Sequence, residues 1–129
     1  YTLDNYLRTG FLLVGSDREE IKLVFNSIYA LLDVPEGEKE PMLNLLAWYA
    51  DGKWYCCIFP RKLHRPSCFF AEGDANILIS PASVDLGGVF ITPLEKDFDK
   101  ITKADVVKIF EEISVDSSKI QAIADKIKG

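Results

Sequence analysis

Chemically reactive side chains are scarce in this 129-residue chain, which has one histidine, His64, and three cysteines. The cysteine count is odd, and no two cysteines have the C-x-x-C spacing typical of metal or redox sites. Adjacent Cys56 and Cys57 lie in an apolar run, which favours small buried side chains in a reducing cytoplasm. A zinc site needs clustered thiol or imidazole ligands, so none is expected.

The chain also lacks a surplus of positive charge and any long apolar run. Its net charge is −5, which argues against a broad nucleic-acid or membrane-binding surface. The apolar runs are too short to span a bilayer or to act as a signal peptide. We therefore expect a cytoplasmic, single domain over residues 1–129 with no nucleic-acid or membrane partner. The chain starts at Tyr1, without methionine, which fits either a processed chain or a domain of a longer protein.

Hydrophobic periodicity predicts helices at both ends of the chain and strands in the middle. Residues 17–32 and 102–127 carry apolar residues at helical spacing, the latter in two helices separated at Asp116-Ser117-Ser118. Strands are predicted at 11–14, 42–49, 53–59, 76–80 and 84–92. Asp51-Gly52 is a strong signal for a tight hairpin turn between the second and third of these. The fold class is α+β, an antiparallel sheet with helices packed on it.

The most unusual segment is FPRKLHRPS, residues 59–67, which we call the basic loop. It concentrates Arg61, Lys62, His64 and Arg65 within an acidic chain. Arginine offers a planar fork of donors that suits phosphate or carboxylate, and lysine adds a compact charge. Two prolines restrict the backbone of the loop. A solvated turn that aids solubility is the simpler alternative, because most charge runs are that.

Catalysis by His64 is not expected, because neither a Ser/His/Asp nor a Cys/His arrangement is legible around it. Two other features are candidates for binding. Gly87 and Gly88 lie in a strand-like run, where paired glycines mark a bulge or a close backbone approach. Asn44 is polar within an apolar strand and should have a hydrogen-bonding task if that face is buried. No phosphate loop or dinucleotide fingerprint is present, and we expect no cofactor.

These features occur in an order that resembles a known group of domains. The pattern consists of Glu40-Pro41-Met42, Asn44, Phe59-Pro60-Arg61, His64-Arg65-Pro66-Ser67, Ser80-Pro81, Asp85 and Gly87-Gly88. It resembles the C-terminal domain of the ATP adenylyltransferase (diadenosine tetraphosphate phosphorylase) and GDP-L-galactose phosphorylase-like group, and is closest to an uncharacterised bacterial subgroup. These proteins belong to the histidine-triad-like superfamily, with galactose-1-phosphate uridylyltransferase. The resemblance covers residues 40–113.

The resemblance implies a two-part enzyme whose catalytic histidine lies in the other part. In such phosphorylases a His-x-His-x-Gln motif carries the nucleotidyl group and phosphate is the acceptor, and this chain has no such motif. The chain would be inactive alone and would complete a nucleotide or sugar-phosphate cleft together with the N-terminal half. The implied binding residues are Asn44, Arg61, Lys62, His64, Arg65, Ser67, Gly87 and Gly88.

A structural or protein-interaction module with no ligand of its own is the second hypothesis. A sheet of this kind has edges and an exposed face, which favour association with a partner half or a homodimer. The aromatic residues around the hairpin turn would then form the interface. They are Trp48, Tyr49, Trp54 and Tyr55.

Overall fold

The protein folds around one four-stranded antiparallel sheet, in a computed structural model that describes residues 1–3 and 8–129. The strands lie in the order β1-β2-β4-β3. Their bounds are Thr2–Leu3 for β1, Gly10–Gly15 for β2, Leu43–Ala50 for β3 and Lys53–Pro60 for β4. The α+β class predicted from the sequence is confirmed.

Six helices flank this sheet within the described residues. They are α1 Arg18–Leu31, α2 Ser67–Phe70, α3 Ser83–Leu86, α4 Glu95–Lys100, α5 Lys103–Ile113 and α6 Ser117–Lys128, with a 3₁₀ turn at Gly73–Ala75. Asp17 accepts the Glu19 amide at the start of α1, and Thr102 accepts the Asp105 amide at the start of α5. Both predicted end regions are confirmed as helical. None of the helices described is long and apolar enough to cross a bilayer.

The hairpin follows the local rule that predicted it. Ala50 pairs with Lys53, and both turn residues have positive φ, 50° at Asp51 and 73° at Gly52. A two-residue turn of this kind matches the twist of the flanking strands. The hairpin therefore brings the start of β3 next to the end of β4, where the basic loop begins.

Alternation along the strands gives the sheet two different covers. One face carries Phe11, Leu13, Cys56 and Ile58 and packs against α1 and α6, burying residues such as Ile28. On the opposite face, Phe59 packs with Leu86 of α3 and with Phe110 and Ile113 of α5. This second cover reaches only the Phe59 end of the hairpin, and Trp48 near its turn is 44% exposed.

The strands predicted at 76–80 and 84–92 are wrong. Residues 76–82 are irregular, residues 83–86 form α3, and no strand follows them up to residue 92. Side chains take over the backbone hydrogen bonding here: the Leu78 amide donates to Asp97 Oδ2 at 2.9 Å, and the Asp85 carboxylate accepts the amides of Ala82 and Ile91. The apolar residues that indicated a strand, Ile77 and Ile79, pack against α5 instead.

Asp97 is the centre of a closed set of polar contacts that we call the Asp97 network, made of Asn76, Leu78, Lys96, Asp97 and Lys100. The Asp97 side chain is completely buried, 2.7 Å from Lys96 Nζ and 3.6 Å from Lys100 Nζ. Burial alone would raise the pKa of Asp97. The hydrogen bonds from Lys96 and the Leu78 amide, with the charges of both lysines, hold that pKa below its ordinary value.

Candidate functional site

Backbone hydrogen bonds to two separate elements fix the start of the basic loop. The Arg61 amide donates to the Met42 carbonyl at 2.8 Å, and the Lys62 amide donates to the Ile113 carbonyl at 2.8 Å. The Val115 amide donates to the Pro60 carbonyl at 3.2 Å. The loop therefore leaves β4 in a defined direction, between the start of β3 and the link from α5 to α6.

The Arg61 guanidinium makes four hydrogen bonds to the chain itself. Its NH1 group donates to Asn44 Oδ1 at 2.9 Å and to the Pro81 carbonyl. Its NH2 group donates to the His64 carbonyl at 2.6 Å, and Nε donates to the Leu63 carbonyl at 3.3 Å. Arg61 thus fastens the basic loop, β3 and the segment at Pro81 to one another. The hydrogen bond expected for the Asn44 side chain is the one that its Oδ1 accepts from Arg61.

The four acceptors around Arg61 are neutral, and no carboxylate among the described residues forms an ion pair with it. Burial lowers the pKa of Arg61, and the negative charge of Asp85 acts against that shift. Arginine nevertheless remains protonated in proteins. A positive charge is therefore held, half-buried, at the junction of three segments.

A cleft of about 310 Å³ opens beside this guanidinium, and we call it the Arg61 cleft. Its polar side chains are Asn44, Arg61, His64 and Ser80. The remaining lining consists of Pro41, Met42, Leu43, Pro81 and Ala82. Its size and its single cationic centre suit a small anionic group held by neighbouring polar atoms.

The other cations of the basic loop lie on its exposed surface. Lys62 Nζ is 2.9 Å from Asp116 Oδ1, and both side chains are largely solvent-exposed. Arg65 stacks over the Phe69 ring, with its guanidinium carbon 4.3 Å from the ring centroid. His64 is also exposed and lines the Arg61 cleft. Exposed pairs of this kind rearrange at low cost, so these side chains can reach toward a ligand.

Ser67 has a structural partner outside the cleft. Its amide and its hydroxyl donate to the two Glu112 carboxylate oxygens at 2.6 and 2.7 Å, which joins the start of α2 to α5. The Ser67 amide bond lowers the pKa of Glu112; burial opposes the shift, and the Ser67 hydroxyl and Lys108 add to it. The structure therefore separates Ser67 from the cleft residues.

The paired glycines also lie away from the cleft lining. Gly87 ends α3, and a methyl group placed on it would meet Leu46 Cδ1 at 3.2 Å. Gly88 has φ of +119°, which favours glycine. Gly87 lines a separate apolar groove of about 390 Å³ with Leu46 and Trp48. Close approach of α3 to β3 therefore favours glycine at position 87, and the positive φ favours it at position 88.

Two functional contributors were not singled out as binding candidates from the sequence. Pro81 offers its carbonyl to Arg61, and the Asp85 carboxylate, which is buried, organises the segment from Ala82 to Ile91. Both residues occur in the pattern of the resemblance. Their roles depend on contacts distant in sequence, which local spacing does not reveal.

Comparison with known proteins gives one match. A family model described as GDPGP1-like, C-terminal domain matches residues 1–129. No curated protein and no solved structure matches the chain significantly. The chain therefore belongs to the GDPGP1-like C-terminal domain family, the C-terminal domain of phosphorylase-like proteins.

Proposed function

We propose that this chain helps to form a nucleotide or sugar-phosphate cleft and acts together with the N-terminal half of the same protein. The observation that carries the proposal is the Arg61 cleft, a cavity lined by a fixed cation in a chain of net charge −5. Exposed His64, Lys62 and Arg65 belong to the same loop. Kinship with the histidine-triad-like superfamily is part of this proposal.

Two roles follow for the cations of the basic loop. Arg61 holds the cleft walls in place, because most of its donors already bond to the chain. Lys62 and Arg65 would contact phosphate oxygens directly, since a charged donor to phosphate makes a strong hydrogen bond, and His64 would add a neighbouring polar side chain. In the intact enzyme these charges would offset the negative charge of the transferred group. The nucleophile would lie in the N-terminal half, and this chain alone would be inactive.

Titration of the intact protein with GDP, with inorganic phosphate as a second ligand, tests the proposal. The double variant Lys62→Ala/Arg65→Ala should weaken binding by about tenfold or more, since one lost charged hydrogen bond already accounts for that factor. The control Arg18→Ala/Lys22→Ala also removes one arginine and one lysine, but from exposed positions of α1. Equal affinity in both double variants, or no binding by the wild type, would refute the cleft.

The exposed aromatic hairpin favours a second candidate, an interaction module with no ligand of its own. Trp48 stacks on Tyr55 with ring centroids 5.1 Å apart, and Tyr49 contacts Trp54 at 5.0 Å. Tyr49 is 59% exposed. A homodimer through this hairpin would show a mass that depends on concentration and no thermal shift with GDP.

A further inference from the structure

The edge strand β3 has none of the features that usually protect a sheet edge. Natural edge strands carry charges, prolines or bulges that prevent another strand from pairing with them. β3 runs for eight residues, Leu43–Ala50, and Asn44 is its only polar residue. Its pairing with β4 is continuous from Leu43 to Ala50, without a bulge.

The register shows which backbone groups of β3 point outward. The Arg61 amide donates to Met42, which lies opposite it, so Met42 belongs to a hydrogen-bonded pair. Such pairs alternate along an antiparallel ladder. The amides and carbonyls of Leu45, Ala47 and Tyr49 therefore point away from β4. No strand among residues 1–3 and 8–129 pairs with this row of groups along the outer side of β3.

The side chains of β3 are also unusually apolar for an exposed edge. Leu45 is 41% exposed and Tyr49 is 59% exposed on the side of α1 and α6, while Trp48 is 44% exposed on the other side. An apolar strand that is exposed on both faces and along its edge is a site for strand addition. A charged or polar ligand would gain little from this surface.

We infer that a β-strand from the N-terminal part of the same protein pairs with the outer side of β3 and extends the sheet. The family description as a C-terminal domain supplies the partner, and the inference rests on that part of the proposed function. The start of β3, from Leu43 to Asn44, also lines the Arg61 cleft. A strand added there would border the cleft, so the partner would complete its open side.

Amide hydrogen exchange of the intact protein, resolved by residue and without ligand, tests the inference. The amides of Leu45, Ala47 and Tyr49 should exchange at least about 100-fold more slowly than the Gly52 amide in the turn. This protection should not change on dilution. Exchange as fast as Gly52 would overturn the inference, and protection that falls on dilution would assign the edge to a second copy instead.

A matched pair of variants isolates the added strand from the fold. Ala47→Pro removes an outward amide that β4 does not use, and proline is tolerated in edge strands. It should abolish protection at Leu45 and Tyr49 and leave the Leu46 amide, which faces β4, protected. Ala47→Val keeps the amide and should keep all protection. Continued protection of Leu45 and Tyr49 in Ala47→Pro would contradict the inference.

The result of the hydrogen-exchange experiment does not depend on the result of the GDP titration. Loss of GDP binding in the titration reports on the cations of the basic loop, whereas exchange at β3 is measured without GDP. A protein that binds GDP but leaves β3 unprotected would retain the cleft and refute the added strand. A protected β3 without GDP binding would support the added strand and refute the cleft.

Discussion

The Asp97 network and the Arg61 cleft are both built from a charged side chain that holds irregular backbone, but they differ in closure. Asp97 has no exposed surface, and its partners are two lysines and an amide. Arg61 is half-buried, bonds mainly to neutral carbonyls, and lies beside an open cavity. A closed, compensated charge stabilises a fold, whereas a charge without an ion pair beside a cavity can also attract a ligand.

The largest expected effect comes from Asp97→Ala, which removes the acceptor of the partly buried Leu78 amide and the partner of two lysines. The free energy of unfolding should fall by about 3 kcal/mol, measured by urea denaturation. Asp99→Ala, at an exposed position of the same helix, should change it by less than about 0.5 kcal/mol. A small loss of unfolding free energy in Asp97→Ala would show that the Asp97 network contributes little to the stability of the fold.

Arg61→Ala should have the next largest effect, because the carbonyls of Pro81 and His64 lose a charged donor. We expect a loss of about 2 kcal/mol in the free energy of unfolding. Arg61→Lys keeps the charge but not the planar fork, so it should recover only part of this stability. Full recovery in Arg61→Lys would show that charge alone, and not the four fixed bonds, holds the cleft walls.

Local rules predicted the regular parts of this fold well. The Asp51-Gly52 turn and the amphipathic helices depend on neighbours within a few residues. Residues 76–92 were misassigned because Asp97 and Asp85 satisfy their backbone amides through side chains, and apolar periodicity does not encode such bonds.

The sequence also predicted part of the candidate site, namely its composition but not the role of each residue. Its composition indicated the basic loop, and Asn44 was singled out as a polar residue within an apolar strand. The division of labour within the loop could not be read from spacing. Arg61 meets Pro81 twenty residues later in the chain, and Ser67 meets Glu112 forty-five residues later. These long-range contacts decide which residues support the fold and which remain available.

Lowering the pH should reveal how much the buried Asp97 carboxylate contributes to the stability of the fold. Its pKa is lowered in the folded state, so its contribution is fully present above the ordinary carboxylate value of 3.8. That stability is lost as the pH falls through 3.8 toward the folded-state pKa. Asp97→Asn should therefore lose less stability than wild type between pH 6 and pH 3.5, measured by urea denaturation at each pH. Equal losses would mean that other carboxylates, such as Asp105 and Glu112, dominate the acid response.

The smallest effect on stability is expected for Lys62→Ala, at an exposed position of the basic loop. The Lys62–Asp116 pair is largely solvated, so its loss should cost less than about 1 kcal/mol of unfolding free energy. Lys22→Ala breaks a comparably exposed pair with Glu19 in α1 and should cost about as little. The two variants should differ in GDP affinity, since only Lys62 belongs to the basic loop. If Lys62→Ala lowered the free energy of unfolding more than Arg61→Ala, Lys62 would have a structural role. The contrast between the fixed cation Arg61 and the available cation Lys62 would then be wrong.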